Sequence, residues 1–227
     1  MKLKKIASLA LAGIMAVSML TACDTASNGN TNGGDDVVVT PAPTSIVTAV
    51  NNGQSATNKV KINFTSDASL DAALTKAVKA VGDKNGKGEL ENYMTNLTGV
   101  KVGISEVTET TGVTSETVGF WPHQKIEWST DSNVDGKVIT EMDVIRIDNL
   151  LSEDAALKNV AKKIDEVVAE LDATTYGNFS ADEKYADYAY AGTVSMVSAV
   201  NVDGTTSYFV AYTITQTTSI KTLAPEA

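Results

Sequence analysis

Three periodicities divide the chain. The first is an apolar run of fifteen residues from Ile6 to Leu20, interrupted only by small residues such as Ser8, Gly13 and Ser18. The second is helical. Leu70, Leu74, Ala77, Val78 and Val81 recur three and four apart after Ser66 and Asp67, either of which caps a helix that Gly82 ends. Leu157, Val160, Ala161, Ile164, Val167, Val168 and Leu171 form a longer stripe over 153–172, with Ser152 as its cap and Glu153 and Asp154 in its positive first turn. A shorter helical segment is expected over 89–97, and another near 181–188.

The third periodicity alternates. Val60, Ile62 and Phe64 alternate with polar residues over 59–64, as Val100, Val102 and Ile104 do further on, and each pattern predicts a half-buried strand. Residues 115–120, 125–130 and 138–147 are rich enough in β-formers to add strands. Near the C-terminus Val194, Met196, Val200 and Val202 share one face of a strand, and Tyr208, Val210, Tyr212 and Ile214 share one face of the next. Facing partners must therefore sum to an even number, which a two-residue turn at Asp203-Gly204 does not allow. A three-residue loop, 202–204, with Gly204 in the left-handed conformation, satisfies both parity and glycine chemistry. It predicts Ser198 opposite Tyr208, Met196 opposite Val210 and Val194 opposite Tyr212. The fold class expected is α+β: a mainly antiparallel sheet with two principal amphipathic helices packed on one face.

The apolar N-terminal run is too short for the roughly twenty residues of a spanning helix and suits a signal segment. Met1-Lys2-Leu3-Lys4-Lys5 supplies its basic start, and Leu20-Thr21-Ala22-Cys23 its end. The sequence over residues 1–23 resembles the signal and lipobox of bacterial lipoproteins. The resemblance implies that residues 1–22 are removed and that Cys23 becomes an acylated first residue. The partner of Cys23 is then a lipid bilayer, with the rest of the chain on the extracytoplasmic side of a bacterial cell membrane. Two acyl chains suffice for stable anchoring where one is marginal. Cys23 is the chain's one cysteine.

Between Asp24 and Asn58 the composition turns to Asn, Gly, Ser, Thr and Asp, with Pro41 and Pro43 beside the short apolar groups Val37–Val39 and Ile46–Val47. Such a segment buries too little to offset chain entropy, so 23–58 is expected to be a flexible tether. A single domain is expected over 59–227.

Charge and chemistry narrow the function further. The chain has a net charge of −10, and loss of the three signal lysines takes it to −13. A surface this acidic, with one arginine, argues against a nucleic-acid partner. One His and one Cys exclude His/Cys zinc sites. There is no Gly-x-Ser-x-Gly elbow, no Ser-x-x-Lys pair and no phosphate loop, and no cofactor is expected.

Two clusters remain. Asp131-Ser132-Asn133-Val134-Asp135-Gly136-Lys137-Val138 resembles the first eight positions of an EF-hand or dockerin calcium loop. Its twelfth position is Met142 where that family has an acid, so turn chemistry accounts for the pattern and no metal site is assigned. Trp121, His123 and Trp128 lie close together in sequence, and exposed aromatics of this kind suit stacking on a sugar or peptide. They are the candidate ligand-binding residues, with an envelope polymer or a protein as the partner class. The reading is a non-enzymatic binding module. The alternatives are an envelope-polymer hydrolase using acid–base carboxylates and a calcium-stabilised surface protein.

Overall fold

In the computed structural model the described residues are 39–41, 45–81, 87–100, 102–108, 112–114, 135–147, 151–176, 184–200 and 204–222. In chain order they form β1 (Val39–Pro41), α1 (Ser45–Gly53), β2 (Phe64–Thr65), α2 (Ala68–Val81), α3 (Lys87–Thr98), β3 (Val102–Thr108), β4 (Gly112–Thr114), β5 (Val138–Ile147), α4 (Glu153–Ala169), β6 (Thr174–Tyr176), β7 (Lys184–Val200) and β8 (Thr206–Thr222). One sheet holds the strands in the order β1-β7-β8-β5-β3-β4, with β2 and β6 also paired to β7. The β1–β7, β6–β7, β7–β8, β5–β8 and β3–β4 pairs are antiparallel, and β2–β7 and β3–β5 are parallel. The fold is α+β with a mostly antiparallel sheet.

The β7–β8 hairpin carries the parity argument through. Ser198 faces Tyr208, Met196 faces Val210 and Val194 faces Tyr212. Gly204 has φ +81°, the left-handed conformation in which a Cβ is strained. The caps follow the sequence as well. Asp67 Oδ1 accepts from the N–H groups of Ser69 and Leu70 at 2.7 and 3.0 Å, and Ser152 Oγ accepts from Ala155 N at 3.4 Å.

The two principal helices lie on opposite faces, not on one. Ile145, Ile147, Val194, Met196, Val210, Tyr212 and Ile214 point to a core shared with α1 and α4. Met142, Val144, Val197, Ala199, Phe209 and Ala211 point to a second core under α2 and α3. The even positions of β7 and β8 are large, so they mark the first face in the sequence. The second face is lined partly by small Ala199 and Ala211, which reading by alternation assigns to solvent.

The segment expected to be a tether contains two ordered elements. β1 pairs with Val197–Ala199 at the outer edge of β7, and α1 packs Ile46 and Val50, both buried, onto α4. Ile46 and Val50 are spaced i, i+4, so few as they are they form one stripe, and Pro41 and Pro43 precede the helix rather than interrupt it. The described elements thus include residues from Val39 onward, twenty residues before the domain boundary expected at Lys59.

Residues 59–64 keep their predicted inward face, with Val60, Ile62 and Phe64 buried, yet only Phe64–Thr65 is strand. Side-chain amides of α1 stand in for a neighbouring strand. Asn51 donates to Phe64 O at 2.9 Å and accepts from Phe64 N at 2.8 Å. Gln54 donates to Ile62 O at 2.6 Å and accepts from Ile62 N at 3.0 Å. The helix expected near 181–188 is instead the start of β7, because Lys184–Tyr188 pair with β8 over their whole length. The expected strands at 115–120 and 125–130 lie outside the described residues.

Candidate functional site

The sequence-selected residues fall in different places. Cys23, Trp121, His123 and Trp128 lie outside the described residues, as do Asp131–Val134 of the acidic loop. Asp135 and Gly136 are described and are tied to β8. Asp135 Oδ1 accepts from Ile220 N at 2.9 Å, Gly136 N donates to Thr218 O at 2.9 Å, and Thr218 N donates to Lys137 O at 2.9 Å. That carboxylate oxygen fastens the turn before β5 to the far end of β8. Among the described residues, no three His, Cys, Asp or Glu side chains are grouped to hold a metal ion.

A buried polar pair sits at the centre of the α1/α4 face. Register places Asp143 of β5 opposite Tyr212 of β8, with exposures of 2% and 0%, and Tyr212 Oη donates to Asp143 Oδ2 at 3.4 Å. Burial pushes the Tyr212 phenol well above its ordinary range, and the charges of Asp143 and Glu141 push it further. The phenol is therefore a neutral donor at any physiological pH. Both groups are closed off from solvent, so the pair orders the core and does not reach a solute. The sequence carried one signal for it: an acid inside the apolar run Met142-Asp143-Val144-Ile145.

Below this pair the described helices cover the sheet on one face only. On the covered side Tyr190 Oη donates to Asp172 O at 2.8 Å and accepts from Gln216 Nε2 at 2.9 Å, which ties the end of α4 to β7 and β8. Burial, partly offset by the Gln216 bond, pushes the Tyr190 phenol up to about 12. Tyr188 lies beside it, ring centroids 6.4 Å apart, and Lys59 pairs with Asp172 at 2.7 Å.

The opposite side of the same strands presents Val138, Thr217 and Ala189 in one row. Thr140, Thr215 and Ala191 form the next row. Thr193 and Thr213 follow, where α2 and α3 begin to cover the face. Val138 is 59% exposed, and Thr140, Ala189 and Ala191 are exposed. Hydroxyls pair across strands at 2.9 Å (Thr140–Thr215) and 2.7 Å (Thr193–Thr213). These rows carry no charged side chain, although the chain is strongly acidic. An ion pair between Lys221 and Asp187 lies at the far end. This flat face of methyls and hydroxyls is the candidate contact surface among the described residues. Alternation over Tyr208–Ile214 does not mark this face, whose extent depends on where α2 and α3 stop.

No family model, no curated protein and no solved structure matches the chain.

Proposed function

We propose that the chain is a bacterial lipoprotein, held by an acylated Cys23 on the extracytoplasmic side of the cell membrane, whose α+β body is a non-enzymatic binding or interaction module. The observation that carries the reading is Leu20-Thr21-Ala22-Cys23, placed directly after a basic start and a fifteen-residue apolar run, with the one cysteine of the chain at the acylation position. A body that lacks cysteine, and whose central acid is buried against a phenol, is consistent with a module that binds rather than cleaves. The uncharged sheet face supports the same reading, because a neutral contact surface avoids the repulsion that the rest of an acidic surface exerts on anionic polymers.

The test is fractionation with metabolic labelling. Expressed in a bacterium fed an alkyne fatty acid, the full chain is expected in the membrane fraction carrying label. The Cys23→Ala variant is expected without label and released from the membrane or retained as the uncleaved precursor. Label on the Cys23→Ala variant, or its absence from the parent, contradicts the anchoring reading.

A further inference from the structure

The far end of β8 outruns its neighbour. β5 begins at Val138, opposite Thr217, while β8 continues to Thr222. On that side the last main-chain bonds among the described residues are Gly136 N to Thr218 O and Thr218 N to Lys137 O, both 2.9 Å. In an antiparallel ladder every second residue presents its N–H and C=O to the same side, so Ile220 is next in line. An edge of this kind takes up a further strand unless something closes it.

Here a side chain closes it. Asp135 Oδ1 accepts from Ile220 N at 2.9 Å, so the donor that another strand would need is already bonded. An ionised carboxylate only accepts, and it offers no N–H from which the ladder could continue. Gly136, at φ +77°, makes the bend that brings the side chain of Asp135 to Ile220. The device recurs at 62–64, where the amides of Asn51 and Gln54 bond both backbone groups of Phe64 and Ile62. Charge stands at the same end of β8: exposed Lys221 pairs with Asp187 of β7, and charged residues on an edge disfavour pairing.

We propose that Asp135 is an edge guard, whose carboxylate keeps the end of β8 from pairing with the same edge of a second copy of the chain. A second copy is the occupant because such an edge is self-complementary: two antiparallel copies of 218–222 can exchange N–H···O bonds about a twofold axis. The guarding bond lies within one chain and does not depend on how that chain is anchored.

The test compares the full chain, purified in detergent, with its Asp135→Ala and Asp135→Asn variants. Light scattering reads the protein mass over a wide range of concentration, and hydrogen exchange reads the Ile220 amide in the same samples. For Asp135→Ala the mass is expected to rise with concentration toward twice the parent's. Exchange at Ile220, fast in dilute Asp135→Ala, is expected to slow severalfold when the sample is concentrated. The parent and Asp135→Asn, whose amide oxygen can still accept from Ile220, are expected to keep one mass throughout. An Asp135→Ala mass that never departs from the parent's overturns the inference, as does association that leaves the Ile220 amide unprotected. Association of Asp135→Asn equal to that of Asp135→Ala overturns it too. The parent supplies a check that needs no variant to fold: its Ile220 amide should exchange severalfold more slowly than that of Thr222, and equal rates overturn the guard.

Discussion

The β7–β8 hairpin has two halves built on different rules. In the half near the turn, Val194–Val197 and Phe209–Tyr212 are each four consecutive buried residues, because α1 and α4 cover one side and α2 and α3 the other. In the far half Ala186, Gln216 and Thr218 are buried while Ala189 and Ala191 face outward. A strand between two helix layers needs apolar residues at every position, whereas a strand covered once needs them at every second position. One ribbon thus passes from structural interior to available surface within a few residues. The first half carries the doubly covered core, and the second presents the exposed rows around Val138, Ala189 and Ala191.

Substitutions that separate the halves test this division. The largest effect is expected at Phe209, 2% exposed on the α2/α3 face: Phe209→Ala should cost about 3–5 kcal/mol in urea unfolding, the usual range for an emptied aromatic site. A cost under 1 kcal/mol would mean that the second helix layer contributes little to the core, against about 3–5 kcal/mol expected. Next is Gly192, at the junction between the halves. A Cβ there would stand 2.5 Å from Phe64 Cε1 and 2.9 Å from Ile62 Cγ2, so Gly192→Ala should cost about 1–3 kcal/mol through overpacking. Phe64→Leu in the same chain should make the two costs less than additive, and strict additivity would show that the close approach is not the cause.

Asn51→Ala should cost about 1–3 kcal/mol, because it leaves the Phe64 N–H and C=O without their partners. Faster hydrogen exchange at the Phe64 amide is the local signature to look for. A pH effect follows. The Tyr190 phenol is held up to about 12 in the fold, mainly by burial, against about 10 in the unfolded chain. The unfolded chain therefore loses this proton first. Stability is full below pH 10 and falls as the pH rises from there toward 12. Urea midpoints should drop over that window, and less steeply for Tyr190→Phe. An equal slope in both would remove Tyr190 from the explanation. The smallest effect is expected at Thr217, in the open rows, where Thr217→Ala should change stability by no more than about 0.5 kcal/mol.

How much of this was legible in the sequence follows from what each pattern measures. Alternation and parity gave the β7–β8 register to the residue, and caps gave the starts of α2 and α4, because turn geometry and capping are local. The second face was not legible, since Ala199 and Ala211 read the same whether a helix lies over them or water does. α1 was not legible because Pro41 and Pro43 beside Ile46–Val47 read as tether, although both prolines precede the helix and Ile46 and Val50 share one face. Most of the strand-like 59–64 falls outside β2 for a reason no pattern encodes: the amides of Asn51 and Gln54 bond the backbone of Phe64 and Ile62. Asp143 stood out only as an acid among apolar neighbours, and its phenolic partner 69 residues away emerges only from the register.

The proposed anchoring rests on one residue, and one mass measures it. The protein extracted from bacterial membranes and digested should yield an N-terminal peptide beginning at Cys23, with a diacylglyceryl thioether on its sulfur and Asp24 following. A peptide that begins elsewhere, or a Cys23 with a free thiol, would contradict the account.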